Sequence, residues 1–105
     1  MQKWDISQLA DDQTEQWQEF LHVSAMSMGV YKLPAGSVDT QSPHTEDEAY
    51  YVVSGRGQFE VEGETQAVSP GMVLFVEANA DHRFKDITED LTLLVVFAPA
   101  EGSKA

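Results

Sequence analysis

The chain has 105 residues, with 18 acidic and 6 basic residues and a formal net charge of −12. A field of that sign repels phosphate backbones, so we expect no nucleic-acid partner. The sequence has no cysteine, which excludes disulfides and thiolate metal sites. No apolar run approaches the roughly 20 residues that a membrane span needs, and the first twelve residues lack an apolar signal core. We therefore expect one cytoplasmic domain with no membrane partner.

The first 23 residues are polar and differ from the remainder of the chain. Within them, Trp17, Phe20 and Leu21 have the i, i+3, i+4 spacing of a short helical face, although a polar strand or loop fits the segment nearly as well. We treat residues 1–23 as an N-terminal extension. His22, near its end, has no candidate partner close in sequence and is interpreted as a structural or solvated side chain.

The remainder is a series of short apolar or alternating runs separated by turns rich in Gly and Pro. The predicted strands are residues 25–33, 48–54, 58–62, 65–68, 72–76, 82–86 and 91–97. Residues 55–57 are predicted to form a turn between two of them, and the 72–76 run is predicted to be buried on both faces. Seven or eight short strands with little helix predict an all-β sandwich or barrel.

A histidine and a glutamate lie four residues apart just before one of these strands. His44 falls in an acidic loop, and Glu48 begins the 48–54 strand. Residues an even number of positions apart share a face where the backbone is extended. A neutral imidazole and a carboxylate on one wall are suitable ligands for a divalent metal. This segment is therefore the first candidate for a functional site.

The residues around this pair resemble the first conserved motif of the cupin superfamily, G-x5-H-x-H-x3-E-x6-G. Every gap of the motif matches between Gly36 and Gly55, with His44 and Glu48 in place. Ser42 stands where the family usually has its first histidine.

A second segment resembles the other cupin motif, G-x5-P-x-G-x2-H-x3-N. It runs from Gly71 to Asp86 and retains His82. The usual proline, glycine and asparagine are replaced by Glu77, Asn79 and Asp86. Asn tolerates a left-handed backbone, so it is a suitable substitute for the glycine. Two motifs in order, across about half of the chain, make the resemblance specific.

The resemblance implies the fold in more detail. Cupins are double-sheet jelly rolls, so the expected fold is an all-β double-stranded β-helix, the jelly-roll or cupin barrel, with a short N-terminal extension. The expected divisions are the extension at 1–23, the barrel at 24–100 and a C-terminal tail at 101–105.

The resemblance also implies a metal site. Its ligands would be His44, Glu48 and His82, and two imidazoles with one carboxylate favour Fe(II), with Zn, Ni or Mn as alternatives. The hydroxyl of Ser42 is a poor ligand, so the site is expected to have three protein ligands rather than four. The substitutes closest in sequence are Asp39, Gln41 and Glu46, which the sequence does not rank.

Strand parity predicts which side chains line the interior beside the metal. Tyr50 shares the face of Glu48, and Phe84 and Asp86 share that of His82, whereas Tyr51 should point outward. Gln41 and Ser42 are further candidates for the pocket lining. Few cations can reach this interior, so anchors for phosphate or 2-oxoglutarate are not expected. The ligand should be a small neutral or metal-chelating organic molecule.

Three functions remain open at this point. The first is a metal-dependent, dioxygenase-type enzyme acting on a small organic substrate. The second is a non-enzymatic module that binds or stores a small molecule, and the third is a metal-assisted isomerase or lyase. A metal-free barrel, with Glu48 paired to a histidine or a tyrosine hydroxyl, is the alternative to the metal site itself.

Apolar residues on both faces of the 72–76 and 91–97 strands need to be covered. The N-terminal segment, with Trp4, Trp17 and Phe20, could cover its own subunit or reach a partner. We therefore expect a homodimer with this segment at its interface, because twofold symmetry is the commonest form of assembly.

Overall fold

The computed structural model describes residues 1–104, which form one short helix and six antiparallel strands. The elements are α1 Ile6–Asp12, β1 Trp17–Val23, β2 Met26–Leu33, β3 Asp47–Val61, β4 Glu64–Val68, β5 Val73–Val76 and β6 His82–Ala98. The strand order is β1-β2-β6-β3-β4, and β5 pairs with β3. The predicted all-β jelly roll is confirmed. No helix in the described residues has the length and apolar composition that crossing a membrane requires.

Two long strands form the frame of the fold. β3 and β6 pair from Asp47 opposite Ala98 to Val61 opposite His82, with three shifts of register between them. The turn predicted at residues 55–57 is wrong, because these residues lie inside β3 and the strand bends there without reversing. Gly55 permits the bend, with a φ of 96°. The separate strands predicted at 82–86 and 91–97 are likewise one continuous strand.

The core lies between the inward faces of these strands. Tyr50 and Val52 point inward from β3 and are fully buried, whereas Tyr51 points outward, as parity predicts. From β6 the inward side chains include Leu93 and Phe97, which are also buried. Tyr50 packs edge-on against Phe84, with 5.0 Å between ring centroids. This alternation places polar side chains at one end of an otherwise apolar interior.

The N-terminal extension packs on its own chain. α1 begins after Asp5, whose carboxylate accepts from the Gln8 N–H at 3.1 Å. It packs on β2 through the buried Ala10, whose carbonyl accepts from Lys32 Nζ at 2.7 Å. Of the alternatives for residues 17–21, strand is correct, and β1 pairs with β2 as an edge strand. His22 is exposed beside Glu19, in agreement with the solvated interpretation.

One face of β5 stays in contact with solvent. The prediction that residues 72–76 are buried on both faces is wrong, since Val73 and Phe75 are each 67% exposed. Val73 lies opposite the exposed Tyr51 on β3, and these three side chains form what we call the outer patch. A half-exposed strand usually alternates polar and apolar residues, but this run is apolar on both faces, so its sequence does not show which face is exposed.

We propose that the outer patch is the contact between two copies of the chain. It carries no charge, so two strongly acidic chains can meet there without desolvating a carboxylate. Light scattering should give twice the chain mass for the wild type and one chain mass for Phe75→Glu. Val38→Glu, at a side chain 77% exposed in a loop, should leave the dimer intact. A monomeric wild type at micromolar concentration would refute this assembly.

The bend in β3 should be sensitive to any side chain at Gly55. A Cβ there would lie 2.2 Å from the Asp90 carbonyl oxygen, whereas at Gly63, which also has positive φ, it would meet nothing within 4 Å. Gly63→Ala should cost about 1–2 kcal/mol of unfolding free energy for its left-handed backbone. Gly55→Ala should cost about 1–3 kcal/mol more because of the added overlap. Urea denaturation measures both, and equal losses would show that the close approach is unimportant.

Candidate metal centre

Three side chains from the two motifs converge at one end of the interior. His44 comes from the loop before β3, Glu48 from the start of β3, and His82 from the start of β6. One ligand atom from each lies within 4.8 Å of the others. The loops that carry them are joined, since the Asn79 N–H donates to the His44 carbonyl at 2.7 Å. Asn79 has the left-handed φ of 68° expected of a residue in the glycine position.

The ring of His82 is oriented by the backbone. Its Nδ1 lies 2.9 Å from the Ala80 carbonyl oxygen, which can only accept, so Nδ1 carries a proton. Nε2 then faces Glu48 Oε1 at 3.1 Å and the Tyr50 hydroxyl at 3.2 Å. Burial lowers the pKa of His82, but the nearby Glu48 carboxylate and the Ala80 carbonyl outweigh burial, so the pKa is raised. In metal sites, a hydrogen bond from the ring nitrogen that does not bind the metal usually fixes the tautomer of the histidine, and the bond from Nδ1 to Ala80 is of this kind.

The carboxylate of Glu48 is the main sign of a cation site. It is 2% exposed, and its Oε1 accepts no hydrogen bond of normal geometry from residues 1–104. A bare imidazole nitrogen and a carboxylate oxygen at 3.1 Å repel each other unless a proton or a cation lies between them. Two imidazoles and one carboxylate are a donor set for a borderline divalent cation. The three residues therefore fit a metal ion.

Gln41 lies beside this cluster and is oriented by Asp39. Its Nε2 donates to Asp39 Oδ2 and to the Tyr50 hydroxyl, both at 2.9 Å. Its Oε1 consequently faces His44 Nε2, at 3.2 Å. Asp39 is buried and also accepts from the Tyr31 hydroxyl at 2.7 Å. Asp39 thus supports the site from behind and is not positioned as a ligand.

Ser42, at the position of the missing histidine, and Glu46, the remaining substitute, do not face the cluster's ligand atoms with a free donor. Ser42 is exposed. Glu46 is buried but accepts from the Gly102 and Lys104 N–H groups at 3.0 and 3.1 Å. Burial raises the pKa of Glu46, yet these hydrogen bonds and one from Thr45 outweigh it, so the pKa is lowered. Among the three substitutes, Gln41 is the residue that faces the cluster.

A pocket of about 240 Å³ opens beside the cluster. Its lining consists of Trp17, Tyr31, Thr40, Gln41, His44, Glu48, Tyr50, Val95, Phe97 and Glu101. Of the residues proposed from the sequence, Gln41 and Tyr50 line this pocket, whereas Ser42, Phe84 and Asp86 do not belong to its lining. Phe84 is buried in the core behind Tyr50. Asp86 is exposed because it has a φ of 49° and lies in an irregular part of β6, where simple parity fails.

Two lining residues come from segments that the sequence did not assign to the pocket. Trp17 begins β1 and lies over Gly29, where any Cβ would fall 2.3 Å from the indole ring. Glu101 belongs to the segment described as a tail, and its Oε2 lies 3.4 Å from His44 Nδ1. Gly29, a glycine inside a predicted strand, was the available signal for Trp17, because such a position often marks the close approach of another group. Nothing local in sequence identifies Glu101.

Comparison with known proteins gives consistent matches. The cupin domain family matches residues 29–97. An uncharacterized protein of Streptomyces coelicolor is 49% identical over 84 residues, or 80% of each chain. The structure is similar to that of TT1209 from Thermus thermophilus, with a TM-score of 0.77, 28% identity and coverage of 95% and 99% of the two chains. For the DMSP lyase DddQ from Ruegeria pomeroyi, the TM-score is 0.68 at 22% identity. That match covers 72% of this chain and 39% of the lyase, so it shows the fold alone.

The buried Glu46 should determine whether residues 101–104 stay on the barrel. Glu46→Gln turns one acceptor oxygen into an NH₂ group that opposes the Gly102 or Lys104 N–H, leaving a donor unpaired. Hydrogen exchange at both amides, followed by NMR, should accelerate by about tenfold or more, since a lost bond to a charged acceptor is worth roughly 1.5–3 kcal/mol. The exposed Glu77→Gln is the control. Unchanged exchange would mean that other contacts hold this segment.

Proposed function

This chain belongs to the cupin family, and from that premise we propose that it binds one divalent metal ion through His44, Glu48 and His82. The metal would act on a small organic molecule held in the adjoining pocket. The observation that supports this most is the buried Glu48 carboxylate, whose Oε1 lies 3.1 Å from His82 Nε2 and accepts no hydrogen bond of normal geometry from the described residues.

Fe(II) is the preferred metal in this proposal, with Zn, Ni or Mn as alternatives. Two imidazoles and one carboxylate are the donors of non-haem Fe(II) oxygenases. When bound, the metal would supply dioxygen chemistry or polarise a substrate carbonyl. The reaction class we favour is therefore a dioxygenase-type oxidation.

The surrounding side chains prepare the pocket for an organic ligand. Tyr50 remains protonated, because burial and the charge of Glu48 raise the pKa of its hydroxyl well above the usual value. Its oxygen accepts from Gln41, so its own proton points toward His82 and Glu48. Trp17 and Phe97 supply part of the apolar lining of the pocket.

The metal ligands can be tested by elemental analysis of protein purified without a metal-affinity tag. His44→Ala, Glu48→Gln and His82→Ala should each lose about tenfold or more in metal content, since each removes a ligand from the set. The exposed Ser42→Ala should keep its metal. Circular dichroism verifies that each variant is folded.

Two results would contradict the metal site. One is full metal content in folded His44→Ala or His82→Ala protein. The other is the absence of metal from wild-type protein dialysed against Fe(II), Mn(II), Ni(II) and Zn(II) in turn. The second result would favour the metal-free pair of Glu48 with His82.

The reaction class can be tested with an oxygen electrode. Fe(II)-loaded protein should consume O₂ with a small organic substrate and without 2-oxoglutarate, because none of the described lining residues is the Arg or Lys that its carboxylates need. His82→Ala should be inactive. Strict dependence on 2-oxoglutarate would refute the prediction. Turnover without O₂ uptake would favour an isomerase or lyase, and binding without turnover would favour a binding module.

A further inference from the structure

The side-chain amide of Gln41 is held in one orientation. Its Nε2 lies 2.9 Å from Asp39 Oδ2 and 2.9 Å from the Tyr50 hydroxyl. The Asp39 carboxylate can only accept, so the nitrogen of the amide must face it. Asp39 is buried and is itself fixed, because the same Oδ2 also accepts from the Phe84 N–H at 2.9 Å. The amide oxygen of Gln41 is therefore kept on the side of His44.

The two ring nitrogens of His44 face two different acceptors. Nδ1 lies 3.4 Å from Glu101 Oε2, and Nε2 lies 3.2 Å from Gln41 Oε1. A neutral imidazole carries one proton, whereas a carboxylate and an amide oxygen both accept. Whichever nitrogen carries the proton, the lone pair of the other nitrogen faces an oxygen.

Nε2 is the nitrogen of His44 that lies toward the other candidate ligands. The Gln41 amide beside it contacts the Tyr50 hydroxyl, and that hydroxyl lies 3.2 Å from His82 Nε2. Nδ1 instead faces Glu101, and a carboxylate next to a metal-binding histidine favours a proton on the nitrogen beside it. A metal bound by His44 would therefore be bound through Nε2.

Metal binding at Nε2 would leave Gln41 Oε1 without a hydrogen-bond donor. The amide cannot rotate toward another donor without losing the two bonds from its nitrogen. Two atoms bound at right angles to one metal, each at about 2.1 Å, are about 3.0 Å apart. His82 Nε2 is 3.1 Å from Glu48 Oε1, and His44 Nε2 is 3.2 Å from Gln41 Oε1. Both pairs thus have the spacing of neighbouring ligands.

We propose that Gln41 Oε1 is a fourth protein ligand of the metal, in place of the histidine that the cupin motif has at the position of Ser42. The proposal rests on the proposed function, since it concerns the same ion. Ser42 is exposed, whereas the residue before it lines the pocket, so the loop offers a donor from the neighbouring position. The amide is neutral, so it adds a ligand without adding charge.

Zinc affinity gives the first test. Titration calorimetry of metal-free protein with Zn(II) should show binding about tenfold or more weaker in Gln41→Leu than in the wild type, because leucine fills similar space without a donor atom. Gln66→Leu makes the same change at an exposed glutamine on β4 and should leave the affinity unchanged. Circular dichroism verifies that both variants are folded. Unchanged affinity in folded Gln41→Leu would overturn the proposal.

A weaker affinity would also follow if Gln41 only positioned its neighbours, so a second measurement decides between the two roles. NMR of protein labelled with ¹³C at the glutamine side-chain carbonyls should show one signal, missing from Gln41→Leu, that moves downfield when Zn(II) is added. The reason is that a metal polarises a carbonyl whose oxygen it binds. A positioning role would leave this signal in place or move it upfield, since the carbonyl would lose a donor and gain nothing. Either of those results would overturn the ligand role.

The same titrations separate this proposal from the proposed function. Zinc binding by the wild type that is lost in His82→Ala but retained in full by Gln41→Leu would refute the role of Gln41 alone. A wild type that binds none of Zn(II), Fe(II), Mn(II) and Ni(II) would refute both. Binding that is lost in His82→Ala and weakened in Gln41→Leu, together with the downfield carbonyl signal, is the result expected of four ligands.

Discussion

The whole site depends on the bend of the β3–β6 ribbon. Glu48 belongs to one end of that ribbon, opposite Phe97, and His82 belongs to the other, opposite Val61. In a straight ribbon, at about 3.3 Å per residue, they would be roughly 40 Å apart. The folded ribbon brings Glu48 Oε1 to 3.1 Å from His82 Nε2. Gly55 and the register shifts around it are what allow two strands to form both walls of the interior.

Local spacing was enough to identify the residues that meet across this ribbon. His44, Glu48 and His82 were predicted from two short motifs, and strand parity placed Tyr50 inward and Tyr51 outward. The shape of the connection between the motifs could not be predicted in the same way. A glycine-rich segment such as 55–57 has the same local preferences in a turn and in a bend, and the pairing with β6 decides between them.

The remaining parts of the pocket depend on contacts that are distant in sequence. Glu101 is held by Ser27, 74 residues away, and the next residue by Glu46, 56 residues away. Residues 17–21 have the spacing of a helical face, yet they form an edge strand that pairs with β2, with Trp17 packed over Gly29. The local sequence pattern carries no information about such distant partners. The same pattern also overestimated the burial of Val73 and Phe75, because apolar residues on both faces of a strand hide which face is exposed.

Because residues 101–104 are attached after the last strand, the charge of the pocket can change separately from the stability of the barrel. The candidate metal ligands lie within residues 44–82, whereas one carboxylate of the pocket is carried by a short segment that follows the last strand of the barrel. Replacing Glu101 changes the charge that a ligand meets without changing a buried residue or a strand. Selection, or an engineer, could therefore alter ligand preference in this scaffold through one position at little risk to folding.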